Sequence, residues 1–356
     1  MIIETTRLTM ATKIGFLLLA CTCFLLVAKP VQACTRAVYQ GPNGMTITGR
    51  SMDWKDEIPA NMWLFPRGMQ RNGAVGPNSV TWTSKYGSVV ASAFDIASTD
   101  GMNEKGLVAN LLWLAESKYP EYRPSQKGLS VAAWVQYVLD NFATVEEAVN
   151  ALRSEPFVVV SANIPGTDRF ATLHLSISDA KGDNAIFEYI DGKLVIHHGM
   201  AYTVMTNSPT FEKQLALDGY WQQVGGLNML PGTNRAADRF VRASFYIDAI
   251  PKTTDTRIAV ASVFSVIRNA SVPFGISSEE EPNISSTRWR SLSDQKNLVY
   301  YFETALTPNT FWVDLKKVNF SQNQSVKRLL VSNNEVYAGD ALSSFKPAKP
   351  FEFAGL

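Results

Sequence analysis

From residue 34 onward, apolar positions alternate with polar ones more often than they recur at helical spacing. "TRAVYQ" and "MTITGRSMDW" are alternating runs on either side of "GPNG" (Gly41–Gly44), whose residue types predict a hairpin turn. Further strands are predicted at Val80–Thr83, Ser88–Phe94, Leu107–Leu114, Phe157–Ser161, Ala171–Ser178 and Ala201–Met205. "ISDAKGDNAIFEYIDGKLVIHHG" reads as a pair of hairpins turning at Lys181-Gly182-Asp183 and Asp191-Gly192. The period becomes helical in "LSVAAWVQYVLDNFATVEEAVNALRSE" (Leu129–Glu155), where Thr144 followed by Glu147 has the form of a capping box starting a second helix. Helices are predicted again at Pro209–Leu217, Arg235–Ile250 and Asp255–Asn269, the last with Asp255 as N-cap. A final strand pair, Val299–Ala305 and Thr310–Asp314, is joined by "LTPN".

Strands that come in hairpins favour antiparallel sheets, and helices in two blocks supply a cover for each sheet. The expected fold class is α+β, a four-layer helix–sheet–sheet–helix sandwich with two mainly antiparallel sheets. No linker, repeat or low-complexity segment divides residues 34–356, which are expected to form one domain. The one charged tract, "SSEEEPNISS" (Ser277–Ser286), reads as a solvated loop.

Residues 1–33 are different in kind. Arg7 and Lys13 precede the apolar run Ile14–Ala28, and the small-residue motif Val31-Gln32-Ala33 follows it. This is the layout of a secretory signal peptide cleaved between Ala33 and Cys34, with Met1 or Met10 as the start. The run is shorter than the roughly 20 residues that a spanning helix needs, and no later stretch matches its length without charges. The expected product is periplasmic or secreted, with no membrane span. A net charge of +1 with scattered basic residues gives no electrostatic argument for nucleic acid.

Of the three cysteines, Cys21 and Cys23 lie inside the leader, so the processed chain keeps Cys34 alone. A lone thiol cannot form a disulfide within the chain. Three readings follow: an incidental cysteine near a strand start, a lipid-attachment site on a surface-anchored binding protein, or a nucleophile. In the third, cleavage leaves a free α-amine on the residue that carries the thiol. With a pKa of roughly 7.7–8.0, that amine is partly unprotonated at neutral pH and able to take the thiol proton. Histidine offers little competition. His174 alternates with apolar residues inside a strand, His197 and His198 end a hairpin, and no zinc-ligand spacing, G-x-S-x-G elbow or phosphate loop occurs.

"CTR" at the cleavage site, "GRSMDW" (Gly49–Trp54), "DGMNEKGL", "TNSP" and "RFVRASF" occur in that order. Together they resemble the choloylglycine hydrolase family, which includes penicillin V acylases and conjugated bile-salt hydrolases. The resemblance implies the αββα fold of N-terminal-nucleophile hydrolases, linear amide hydrolysis without cofactor or metal, a small-molecule acyl-amide substrate and a homotetramer. It makes Cys34 the nucleophile, with Arg50 and Asp53 beside the thiol; on the residues alone these two describe a strand-end salt bridge equally well. An arginine there favours the thiolate. Asn207, in "MTNSP", resembles the oxyanion-hole asparagine. A backbone N–H near Trp113–Leu114, taken as that of Leu114, completes the hole. Arg239 resembles the remaining active-site arginine, with Arg242 as the alternative if the register slips.

Trp54 and Trp113 fall beside these positions, and Met52, Met62 and Trp82 are expected to join them in an aromatic acyl pocket. Core packing explains such tryptophans as readily. The short stretch between "TNSP" and "RFVRASF" resembles the exported penicillin V acylases of Gram-negative bacteria. N-acyl homoserine lactone acylase is the close alternative, and conjugated bile-salt hydrolase the third.

Overall fold

The computed structural model describes residues 34–356 apart from 168, 277–284, 308 and 334. The predicted leader and most of the Ser277–Ser286 tract lie outside the described residues. The described residues begin with the predicted hairpin. β1 (Cys34–Gln40) pairs antiparallel with β2 (Thr46–Trp54) from Cys34 opposite Met52 to Gln40 opposite Thr46. The turn closes through the Gly41 N–H on the Met45 carbonyl at 2.7 Å. Asn43 and Gly44 adopt φ of 57° and 69°, a left-handed region that suits these residue types.

Two sheets dominate. The first runs Val204–Met205, β1, β2, Ser286–Asp294, Val299–Thr304, Phe311–Asp314 and Gly339–Asp340, antiparallel throughout except its last pair. The second runs Lys193–His198, Asn184–Ile190, Leu173–Ser178, Val108–Trp113, Ala97–Asn103, Ser88–Ala93, Met62–Phe65, Lys327–Leu329 and Lys346–Pro347, antiparallel throughout. Helices Ala236–Ala249 and Thr256–Asn269 cover the first sheet, with Ala243, Ile247, Val263 and Ile267 in one buried cluster with Ala37 and Ile47. Helices Trp134–Asn141 and Val145–Leu152 cover the second, packing Val138, Leu139 and Val149 in a cluster with Val90, Ala109 and Phe187. This is the four-layer α+β sandwich expected. Both predicted caps form: Thr144 Oγ1 accepts from the Glu147 N–H at 3.2 Å, and Asp255 Oδ1 from the Arg257 N–H at 2.8 Å. No helix among the described residues is long and apolar enough to cross a membrane.

Several boundaries differ from expectation. Thr81–Thr83 pairs with Gln70–Asn72, and Val158–Val160 lies parallel to Gly128–Ser130, so both join small two-stranded ribbons outside the main sheets. The strand expected at Ala201–Met205 is reduced to Val204–Met205, and the helix after it runs from Phe211 to Val224. Strands Met62–Phe65, Ala97–Asn103 and Ser286–Asp294 are additional. "ASTDGMN" and "STRWRSLSD" carry so many polar residues that periodicity conceals them; the buried Ser98, Asp100 and Thr287 side chains are satisfied by hydrogen bonds with Gln136, Asn110 and Asp53.

Candidate active site

Alternation along β2 sorts its side chains. Gly49 packs on Val263 and Ile267, and Asp53 faces Arg239, so the odd positions look toward the helices. Thr48 bonds Ser178, and Arg50 bonds the Leu111 carbonyl, so the even positions look toward the second sheet. Met52 and Trp54 share that face with Arg50, and Cys34 stands in register with Met52. Cys34 is 2% exposed. Its Sγ lies 3.9 Å from Met52 Sδ and 3.8 Å from the Asp53 carbonyl oxygen.

Arg50 is held on three sides. Its Nη2 donates to the Leu111 carbonyl at 2.9 Å and lies 3.4 Å from Met52 Sδ, and its guanidinium stacks 4.5 Å from the Trp289 ring. Nη1 lies 3.7 Å from Asp100 Oδ2. Asp100 in turn accepts from the Tyr300 hydroxyl and from Asn110 Nδ2, which ties the two sheets together beneath the arginine. Arg50 Nε and Nη1 are buried without a hydrogen-bond partner, as are Arg36 Nε and two Arg71 nitrogens elsewhere in the fold.

The other half of the site comes from the edge strand Val204–Met205 and the helix Ala236–Ala249. Asn207 Oδ1 accepts from the Cys34 backbone N–H and from Arg239 Nη2, the latter at 2.9 Å, while its Nδ2 donates to the Trp113 carbonyl at 2.7 Å. Arg239 Nη1 donates to the Cys34 carbonyl at 2.7 Å and to Thr35 Oγ1, and lies 3.7 Å from Asp53 Oδ2. Asp53 also accepts from the hydroxyls of Thr287 and Ser51. Arg242 instead donates to the carbonyls of Pro231 and Thr233, so the register falls on Arg239.

Cys34, Arg50, Asp53, Asn207 and Arg239 thus converge, although on different atoms of Cys34 than expected. Met52 Sδ and a carbonyl touch the sulfur; Asn207 holds the backbone nitrogen and Arg239 the carbonyl. The carbonyl on the sulfur is that of Asp53, whose carboxylate reaches Cys34 only through Arg239. Its side chain lies on the opposite face of the strand from the sulfur, and the atom placed to hold the Cys34 nitrogen is Asn207 Oδ1. The influence expected of an arginine beside the thiol is present but outweighed. Burial pushes the Cys34 thiol up from its ordinary value, and Arg50, the strongest opposing influence, does not overcome it. Burial likewise pushes the Asp53 carboxyl up and the Arg239 guanidinium down, each opposed by the other's charge.

A cavity of about 120 Å³ runs from Cys34 past Arg50, Met52, Trp54 and Trp113 to Ile58, Phe94, Leu111, Ala162, Ile164 and Leu173. It opens where strands Ala97–Asn103 and Val108–Trp113 stop pairing beyond Asp100 opposite Asn110, which leaves Thr99 and Leu111 as facing walls. Trp54 and Trp113 meet edge to face at 5.7 Å. Trp82 is not part of it. Its indole N–H donates to Asp140 Oδ2 at 2.8 Å, and its ring packs on Tyr137 in the outer helix–sheet core. Met62 faces the buried core between the sheets.

The Leu114 N–H is also ruled out as an oxyanion donor, since it is bonded to the Thr172 carbonyl at 2.9 Å. Hydrogen-bonded and non-bonded pairs alternate along an antiparallel ladder, so Trp113, opposite Leu173, directs its N–H away from that strand. That N–H lies on the same side of the strand as the Trp113 carbonyl, which accepts from Asn207. Asp100, Trp289 and Thr287 are partners that the sequence reading did not assign. Asp100 is the first residue of "DGMNEKGL", a motif whose leading acid was available as a signal.

The whole of this constellation lies inside the span matched by one family model, that of the linear amide C–N hydrolases of the choloylglycine hydrolase family, over residues 34–328. A penicillin V acylase from Pectobacterium atrosepticum is 57% identical, over 91% of this chain and 93% of its own. A bile salt hydrolase/transferase from Clostridium perfringens is 29% identical, over 82% of this chain and 95% of its own. Among solved structures, a penicillin V acylase from Agrobacterium tumefaciens superposes with a TM-score of 0.86 at 60% identity, covering 91% of this chain and all of that one. With the ordered motifs, the four-layer fold and the geometry around Cys34 in agreement with this match, the chain belongs to the choloylglycine hydrolase family of linear amide C–N hydrolases.

Proposed function

We propose that the chain is exported, cleaved between Ala33 and Cys34, and acts as a penicillin V acylase with the new N-terminal cysteine as nucleophile. The observation that carries this reading is an apolar cavity lined by Cys34, Arg50, Trp54 and Trp113, with Asn207 bonded to the Trp113 carbonyl. A phenoxyacetyl group matches its aromatic walls, and the two most similar relatives above are named for penicillin V.

After cleavage the Cys34 nitrogen becomes an α-amine held by Asn207 Oδ1. The thiol proton passes to this amine as the sulfur attacks the amide carbonyl. The tetrahedral oxyanion accepts from the second Asn207 Nδ2 hydrogen and from the Trp113 N–H. The ammonium then gives its proton to the departing amine nitrogen, the C–N bond breaks, and a Cys34 thioester remains. Water gives a proton to the same amine and attacks the thioester; the C–S bond breaks, the acyl group leaves as the carboxylic acid, and the ammonium returns the proton to sulfur. Arg239 fixes the Cys34 carbonyl, and through Asn207 it fixes the donor that faces the substrate. Arg50 supplies positive charge to the sulfur.

Acyl homoserine lactones form the second reading. The same apolar walls suit an unbranched acyl chain, and the released amine is again carried on a small ring. Family resemblance extends the proposal to a homotetramer. The exposed Leu215, Leu217, Tyr220 and Leu227 on and after the helix Phe211–Val224 give apolar surface for assembly. The test is turnover of penicillin V, acyl homoserine lactones and conjugated bile salts by purified wild-type protein and by Cys34→Ala. Wild type should favour penicillin V by kcat/KM, and Cys34→Ala should fold with no turnover. Lactones preferred by tenfold or more would transfer the assignment to the second reading.

A further inference from the structure

One buried ionisable pair has no part in that chemistry. His174 and Glu188 face each other across neighbouring strands of the second sheet, each 1% exposed. His174 Nδ1 lies 3.0 Å from Glu188 Oε1, and Nε2 lies 2.8 Å from the carbonyl oxygen of Thr206, the residue before Asn207. A carbonyl can only accept, so Nε2 carries a proton and donates whatever the state of Nδ1. The Glu188 carboxylate also accepts from the Phe211 N–H at 3.1 and 3.2 Å, and Phe211 opens the helix Phe211–Val224. The segment from Thr206 to Phe211 is therefore held at both ends by one cross-strand pair. Gln214 supports its middle, donating to the carbonyls of Asn207 and Pro209 and accepting from Thr206 Oγ1.

Asn207 lies inside this segment, and its side chain must meet Cys34 N, Arg239 and the Trp113 carbonyl at once. We infer that His174 and Glu188 are positioning residues for Asn207: the His174 Nε2–H sets the height of the Thr206–Asn207 backbone, and hence of the oxyanion donor. The inference rests on the reading of Asn207 as that donor. A displacement of about 1 Å at such a group costs on the order of 10²-fold in rate, while substrate binding in the apolar cavity is untouched.

Two substitutions separate positioning from mere sheet stability. The amide nitrogen of Gln reaches about where Nε2 stands, so His174→Gln keeps the bond to the Thr206 carbonyl and loses the one to Glu188. The amide of Asn reaches only the Nδ1 position, so His174→Asn keeps Glu188 and leaves the Thr206 carbonyl unpaired. With penicillin V as substrate, His174→Gln should stay within a few-fold of wild type. His174→Asn should lose about 10- to 100-fold in kcat at nearly constant KM. The rate of Cys34 alkylation by iodoacetamide should be the same in both variants, because alkylation needs no oxyanion donor. Asn207→Ala should lose at least as much kcat, and adding His174→Asn to it should cost little more.

Equal losses in the two His174 variants, or losses that track their Tm, would overturn the positioning role. Asn207→Ala retaining kcat would overturn the underlying reading as well, and so tells the two failures apart. Should His174→Asn not fold, Glu188→Gln against Glu188→Ala makes the same comparison from the Phe211 end. Loss of kcat confined to Glu188→Ala supports the inference, and equal loss contradicts it.

Discussion

Each side chain around Cys34 does its work through one or two atoms, and sequence reveals residue type more readily than which atom is used. Cys34, Arg50, Asn207 and Arg239 were legible because each sits in a short motif at a fixed place in the chain order. Asp53 was legible as a member of the cluster and misread in its contact, because a strand's alternation turns it from the sulfur toward Arg239. The Leu114 N–H expected to face substrate is engaged in the ladder instead. A slip of one exchanges the two sides of a ladder, and only the Leu114 bond to Thr172 fixes which N–H is free to face substrate.

Trp82 shows the same limit. Four tryptophans of equal hydrophobicity, Trp54, Trp63, Trp82 and Trp113, divide between the cavity and the outer core according to strand phase, which composition does not carry. The distinction has a kinetic consequence. Trp54→Ala should raise KM for penicillin V about tenfold, the equivalent of roughly 1.4 kcal/mol of lost aromatic contact. Trp82→Phe should leave KM unchanged and lower Tm, because its indole N–H is lost from buried Asp140. Steady-state kinetics and thermal melts of the two variants check this, and matching KM values would contradict it.

At the scale of elements, the hairpin that carries Cys34 and the capped helices were plain from local chemistry: GPNG, Thr144 and Asp255 each form the turn or cap that their side chains favour. Polar buried strands were not plain. Ser286–Asp294 sits between β2 and Val299–Thr304 with Ser, Asp and Thr in the interior, and its burial follows from hydrogen bonds to distant residues.

The same kind of long-range bond anchors the helix Phe211–Val224 through Glu188. Burial works to raise the Glu188 pKa, but hydrogen bonds from His174, His197 and the Phe211 N–H bring it down to about 2. A folded-state value below the ordinary 4.5 means that this stabilisation is complete above about pH 4.5. It is lost as pH falls from there toward 2. The Tm of wild type should therefore exceed that of Glu188→Gln at pH 6, and the gap should narrow steadily between pH 4.5 and pH 2. Melts across that range test it, and a gap independent of pH would contradict the assignment.

For the whole molecule, the layered architecture followed from hairpins and two helix blocks, while its connectivity did not. The first sheet collects β1 and β2 from the start of the chain, an edge strand near residue 205 and four strands after residue 285. Such an assembly is set by the complementarity of faces far apart in sequence, which no local pattern encodes. It is also what brings Asn207 and Arg239 to the first residue of β1. At Cys34 a strand end, an apolar cavity and a potential chain terminus coincide.

That coincidence is the central claim, and intact-mass spectrometry of the active protein before and after treatment with iodoacetamide tests it most directly. The account predicts a mass matching Cys34–Leu356, one added carbamidomethyl group, and loss of penicillin V hydrolysis in step with that addition. An active protein that retains residues before Cys34, or one that keeps its activity with Cys34 fully alkylated, would contradict it.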